Sequence, residues 1–270
     1  TVIGAPIVNL HGFQRGMRYL PDRRDLNRFF PGNAYGSSAS RIANLLFHYV
    51  IVICDGLVDF HTGSLHRTNL PQVRGDLRNA EVQRLARRFS GGVIVHNPAK
   101  KGTIRRAAMD HGIPAIIFEA GEPMRLQEEE IELGVRGTLG LLAAFDMLDR
   151  EQAEFEPAPV YFATHWVRAN DGGILRSRVA VGDEVQRGDV LGHITDPVNT
   201  DRVDLRSDYT GRVIGMTLSP IMIPGYAAYH IGVDTPRSGI ELSPMDDESA
   251  DAPPQDFESV EGVGEDERPE

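Results

Sequence analysis

The first half of the chain switches repeatedly between short apolar runs and helical spacing. Residues 2–9 are rich in Val and Ile and predict a buried strand. Residues 10–36 mix Gly, Pro, Asp, Asn and Arg without a period, the pattern of a long functional loop with one helical turn. Ser37, Ser38 and Ser40 precede residues 41–50, where Ile42, Leu45, Leu46 and Tyr49 recur at helical spacing and predict a core-facing helix. Residues 50–60 hold two β-rich pieces around Cys54, Asp55 and Gly56, the second running into His61. Helices are expected over 81–89, 103–111 and 128–148, and strands over 92–96 and 115–119. Strands alternating with helices imply an α/β fold with a mostly parallel sheet flanked by helices on both faces. Sites in such sheets gather at the carboxyl ends of strands, where His61 and Glu119 stand.

After residue 150 the pattern changes. Residues 151–160 are acidic and carry proline, so a linker is placed there and a first domain ends at residue 150. Residues 161–235 are short β runs punctuated by Gly and Asp, which reads as a small all-β domain. It contains a weak internal repeat, Gly188-Asp-Val-Leu-Gly-His-Ile194 against Gly225-Tyr-Ala-Ala-Tyr-His-Ile231. Residues 244–270 are dominated by Asp, Glu, Pro, Ser and Gly, with too little apolar surface to offset the entropy of ordering, so a disordered acidic tail is expected.

Composition narrows the function classes. The longest apolar run, residues 51–57, is broken by Asp55 and falls far short of the roughly 20 residues that cross a bilayer, so no membrane partner is expected. A net charge of −11 repels a phosphate backbone, which argues against nucleic acid and for a small polar molecule. Cys54 is the single cysteine, excluding an intrachain disulfide and a cysteine-rich metal site and favouring the cytoplasm. The chain opens at Thr1 without a charged-then-apolar signal segment and is expected to begin inside a domain.

Three segments carry candidate chemistry. His61 ends an apolar strand at a Thr-Gly turn, where a neutral imidazole can ligate a metal, and Asp59 two residues earlier shares its face and can orient the ring. The bland alternative is a histidine bonded to a loop. The stretch from Arg18 to Arg28 holds Arg18, Arg23, Arg24 and Arg28 with Asp22 and Asp25; its guanidinium groups meet either a ligand carboxylate or the loop's own acids. Asn27 beside Arg28 suits a substrate carboxylate. Glu119 ends the run 115–119, where desolvation raises a carboxyl pKa towards that of a general base, although many strand ends carry an idle glutamate.

In order along the chain, Arg18-Tyr19, then Asp25-Leu26-Asn27-Arg28-Phe29-Phe30-Pro31-Gly32, then Asp59-Phe60-His61-Thr62-Gly63, then Phe118-Glu119-Ala120-Gly121 resemble the succinylglutamate desuccinylase/aspartoacylase family. The resemblance covers about residues 1–148 and implies the zinc carboxypeptidase fold and a zinc-dependent deacylase that cleaves an amide, or an ester, in a small N-acyl amino acid or related carboxylate. It implies that His61 is the last of the zinc ligands, Glu119 the base that activates water, and Arg18 the cation that steadies the oxyanion. It further implies that Asn27 and Arg28 grip the substrate carboxylate and that Arg105 faces the pocket.

The chain departs from the family at the metal. The family's His-x-x-Glu pair of ligands precedes the Arg18 loop by several tens of residues and is absent; His11-Gly12-Phe13-Gln14 lacks the carboxylate and lies too near Arg18, and His66 reads as a loop residue. Zinc, one ion per full-length chain, is therefore not expected to bind tightly to this one, which reads as N-terminally truncated or as a pseudoenzyme that has lost its activity. The β domain resembles the barrel-sandwich fold of biotinyl and lipoyl carriers. The chain's lysines are Lys100 and Lys101, and residues 196–206 lack the attachment lysine, so a lid, gating or homo-oligomerisation role is expected. Trp166 is expected in its core or against the larger domain. The rival to a deacylase is a metal-free protein that holds a carboxylate through Arg18, Asn27 and Arg28.

Overall fold

Ser37 accepts the backbone N–H of Ser40 and caps the helix that follows, as the serine cluster predicts. The computed structural model describes residues 1–89, 91–149 and 158–234; most of the expected linker and all of the expected tail lie outside them. The first half contains α1 (Leu10–Gln14), α2 (Ser38–Tyr49), β1 (Leu57–His61), β2 (Arg67–Gly75), α3 (Ala80–Phe89), β3 (Val93–His96), α4 (Ile104–Asp110), β4 (Ala115–Gly121) and α5 (Glu128–Ala144). Among the described residues no helix is long and apolar enough to cross a membrane.

Periodicity places α3 to α5, β3 and β4 well, but three expectations need correction. Residues 2–9 form no strand, and Val2, Ile3, Ile7 and Val8 are 41–61% exposed. A β-branched run becomes a strand only where a neighbouring strand takes its backbone groups. In α2 the buried stripe is Ala39, Ala43 and Phe47, four residues apart, while Leu45 and Tyr49 face outward. Its apolar residues span an arc wider than the face that is buried, so spacing alone does not say which of them turn inward. Residues 51–53, expected to be β, make a single 3-10 turn.

The main sheet is mixed: among the strands of the first half β1–β4 and β2–β3 pair parallel, as expected, and β2–β4 pairs antiparallel. The connection between β1 and β2, residues 62–66, is too short for a parallel crossover. Both strands pair with β4, β1 parallel and β2 antiparallel, so the chain reverses around that strand. Helices α3 and α5 cover Val73, Ile94, Ile116 and Phe118 on one face, and a second cluster joins α2 and α4 to Ala115 on the other.

The second half adds β5 (Val160–Tyr161), β6 (Ala163–Arg168), β7 (Gly173–Ser177), β8 (Glu184–Val185), β9 (Val190–Thr195), β10 (Arg202–Arg206), β11 (Gly211–Thr217), β12 (Ile221–Met222) and β13 (Ala227–Val233). Antiparallel pairing of Gly215, Met216 and Thr217 with Asn69, Thr68 and Arg67 carries the main sheet onward in the order β1-β4-β2-β11-β13-β6. A separate antiparallel sheet, β10-β9-β7-β12, encloses with it a core of Leu175, Leu191, Ile194, Val213, Tyr229 and Ile231. The two copies of the repeat enter β9 and β13, in different sheets, and Gly188 and Gly225 ahead of them both take positive φ (95° and 87°). Trp166 is buried, stacked on His230 at 4.3 Å and lying under the guanidinium of Arg67 from β2 at 4.2 Å. It therefore serves both the core and the junction between the two halves.

Candidate active site

β1 and β4 end together. Their parallel register sets His61 beside Glu119 and Asp59 beside Ile117, so strand alternation turns Asp59, His61 and Glu119 to one face and Phe60 and Phe118 to the other. On the latter face a groove of about 550 Å³ runs between Phe60, Phe118 and the Ile131 and Val135 of α5, with His61, Glu122, Arg125 and Glu130 also in its lining. The polar chemistry lies on the opposite face, towards α4.

His61 bonds through Nε2 to Asp59 Oδ2 at 2.8 Å, both side chains being largely buried. Burial disfavours the imidazolium, but the hydrogen bond and charge of Asp59, helped by Glu119, prevail and raise the pKa above its ordinary 6.5; Arg18 acts weakly the other way. The folded state thus holds this proton more tightly than the unfolded chain does. Its contribution to stability is fully present below pH 6.5 and is lost as pH climbs through the folded value. Asp59→Asn is expected to lower the His61 midpoint followed by NMR of the ring carbons; an unchanged midpoint contradicts the assigned cause.

Glu119 is held from β2. Its Oε2 accepts from Asn69 Nδ2 at 2.9 Å and pairs with Arg74 Nη2 at 3.1 Å. The guanidinium that meets this carboxylate is itself buried, a charge-assisted contact from a neighbouring strand. Arg105, in the first turn of α4, is buried and donates from both terminal nitrogens to the carbonyl and the side chain of Asn97. Burial, reinforced by the charge of Arg74 and opposed by those of Glu119, Asp59 and Asp76, lowers its pKa to about 10, so it remains a cation at neutral pH.

The arginine-bearing loop docks on the start of α4. Asn27 Oδ1 accepts the first N–H of that helix, from Ile104, at 2.8 Å, which turns the amide nitrogen away from the helix. Gly102, with φ +90°, lies against the Arg28 carbonyl, and a β-carbon there would stand 2.5 Å from that oxygen. Within the loop Arg18 makes two bonds to Asp25, at 3.1 and 2.9 Å, and Arg24 pairs with Asp22. The internal-pairing alternative therefore describes both Arg18, paired with Asp25, and Arg24, paired with Asp22; Arg18 is nonetheless 43% exposed and close enough to act on His61, and Arg28 is exposed.

The fold thus gathers His61, Asp59, Glu119, Arg105 and Arg18 into one charged neighbourhood, with Asn27 and Arg28 at its α4 border. His11, on α1, and His66 are both exposed, and the carbonyl of His66 accepts from the backbone N–H of Leu218. Among the described residues no group of three or more His, Cys, Asp or Glu could hold a metal ion. One imidazole already bonded to a carboxylate does not make a zinc site, so these residues alone do not fit the metal. Sequence reasoning missed Asn69, Gln72 and Arg74. Gln72 and Arg74 stand two apart, but Asn69 precedes Gln72 by three, across a register shift in the pairing with β4, and the run contains Pro71 and resembles a loop.

Comparison with known proteins adds independent findings. The succinylglutamate desuccinylase/aspartoacylase catalytic domain family matches residues 1–145. The N-alpha-acetyl-L-2,4-diaminobutyric acid deacetylase of Halomonas elongata is 25% identical over 207 residues, 72% of this chain; the chain spans 60% of that relative's length. The succinylglutamate desuccinylase structure from Silicibacter sp. TM1040 superposes with TM-score 0.76 at 23% identity, covering 85% of this chain and 73% of that one. The product-bound ectoine utilization protein of Ruegeria pomeroyi does so with TM-score 0.76 at 21% identity, covering 85% and 74%. A succinylglutamate desuccinylase/aspartoacylase structure from Rhodobacter sphaeroides gives 0.75 at 25% identity, covering 86% and 74%. These likenesses establish a shared fold in both halves of the chain. With the matched span running through every element that builds the polar face of β1 and β4, the chain belongs to the succinylglutamate desuccinylase/aspartoacylase family.

Proposed function

We propose that the protein hydrolyses the acyl–nitrogen bond of a small N-acyl amino acid. The observation that carries this reading is the register of His61 beside Glu119 at the ends of two parallel strands, with Arg18 close by. The free carboxylate of the substrate would be held by Arg28 and the amide nitrogen of Asn27, a fork and a neutral donor at the start of α4. Glu119 would take a proton from the attacking water while the guanidinium of Arg18 donates to the carbonyl oxygen as it becomes negative. Collapse of the tetrahedral intermediate breaks the C–N bond, and the proton held by Glu119 passes to the departing amine. The family resemblance adds zinc to such a site. The described residues supply His61 as the only matching ligand, and no step here is routed through a metal.

The Halomonas relative acts on an acetylated diamino acid, which supports an N-acyl amino acid as the substrate class. A second reading, a metal-free carboxylate-binding protein, draws support from the want of any three-ligand group among the described residues. Both readings predict carboxylate binding, but only the first predicts release of amine. N-acetyl-L-2,4-diaminobutyrate and N-succinyl-L-glutamate, incubated with protein purified from its native source, should yield free amine. Arg28→Met should raise KM roughly 10–100-fold with kcat retained, the worth of a lost charged fork. Binding by calorimetry with no amine formed and no zinc retained would favour the second reading.

A further inference from the structure

The partner that fixes Glu119 is itself fixed from the far half of the chain. Arg74 is buried, and while its Nη2 pairs with Glu119, its Nε donates to Gln72 Oε1 at 3.0 Å. Gln72 is fully buried, and its amide nitrogen donates to the carbonyl of Ile214 on β11 at 3.0 Å and to that of Leu70 at 3.2 Å. Oxygen and nitrogen of one amide are thus committed in opposite directions, leaving it a single orientation. A guanidinium is planar, so fixing Nε fixes the line along which Nη2 points.

We propose that Gln72 is a positioning residue for Glu119, acting through Arg74 and referenced to the β11 backbone at Ile214. The catalytic half then depends on the β region for the aim of its carboxylate, 142 residues from Gln72 along the chain, as well as for the ladder between β2 and β11. A glutamine present only to fill space would be served as well by an apolar side chain of its shape. One present to orient a charge would not.

This inference rests on the reading of Glu119 as the base, and its test separates the two. Gln72→Leu keeps the volume and removes all three side-chain hydrogen bonds, so kcat is expected to fall roughly 10–100-fold, as sub-ångström misplacement of a reacting group does, while KM stays within about twofold because Asn27 and Arg28 are untouched. Arg74→Lys, which keeps the charge and loses the fork, is expected to reproduce this split should the leucine variant fail to fold. In ¹⁵N-labelled chain, the Arg74 Nε–H resonance should be slow to exchange with solvent and become fast in Gln72→Leu. An unchanged resonance, or a kcat equal to that of the parent while Glu119→Gln is inactive, overturns the proposal. Full activity in Glu119→Gln instead overturns the reading of the base, and the Arg74 resonance still decides whether Gln72 orients that side chain.

Discussion

Glu119→Gln is expected to lower kcat for N-acyl amino acid hydrolysis about 10²–10⁴-fold with little change in KM, the range for losing a general base. The substitution is nearly isosteric. The amide oxygen of glutamine can still accept from Asn69 Nδ2 and Arg74 Nη2, which now hold the carboxylate at 2.9 and 3.1 Å, so the local packing survives. What is lost, on the proposed reading, is the proton acceptor. Asn27 and Arg28, the proposed grip on the substrate carboxylate, belong to the loop that docks on α4 and should not register the change. Initial-rate kinetics over a range of substrate, with the melting temperature as a control for folding, decides the matter. A kcat within threefold of the parent would remove Glu119 from the chemistry.

Phe89→Ala should destabilise the chain by about 3–5 kcal/mol, the usual cost of deleting a fully buried phenylalanine whose cavity cannot collapse. Phe89 closes α3 with no exposed surface, and its ring centre lies 5.0 Å from that of Phe118 and 6.1 Å from that of Phe60. Across from it, α5 presents Gly137, where a β-carbon would stand 2.5 Å from the Phe89 ring. The glycine is there because the ring fills its space. Once the ring is gone neither side can supply a replacement, because the surrounding side chains are fixed by the sheet beneath them. At roughly 2–4 °C per kcal/mol for a chain of this size, the melting temperature should drop by about 6–20 °C. Urea unfolding measures the loss directly, and a cost under about 1 kcal/mol would mean that α3 and α5 close over the gap.

Both predictions draw on residues that are not equally visible in the sequence. His61 and Glu119 could be read because each ends an apolar run at a turn, and strand ends in α/β sheets are where polar side chains escape the core. Asn69, Gln72 and Arg74 could not, since a strand with buried polar positions has the composition of a loop until its partners are known. The outward face of α2 misled for the converse reason: Leu45 and Tyr49 look like core, yet Ala39 and Ala43 are buried because small side chains let the helix approach closely. The mixed direction of the sheet was implicit in the short connection at residues 62–66, but only if β2 is recognised as a strand at all.

The sequence by itself determined where helices and strands form through most of residues 81–148, which acid and which imidazole end their strands, and which loop carries the arginines, because each of these depends on neighbours a few residues away. The tertiary structure decided what those groups touch. Asn69 reaches Glu119 across 50 positions and Gln72 reaches Ile214 across 142, and pairings over such distances follow from strand order and register, which no local pattern encodes.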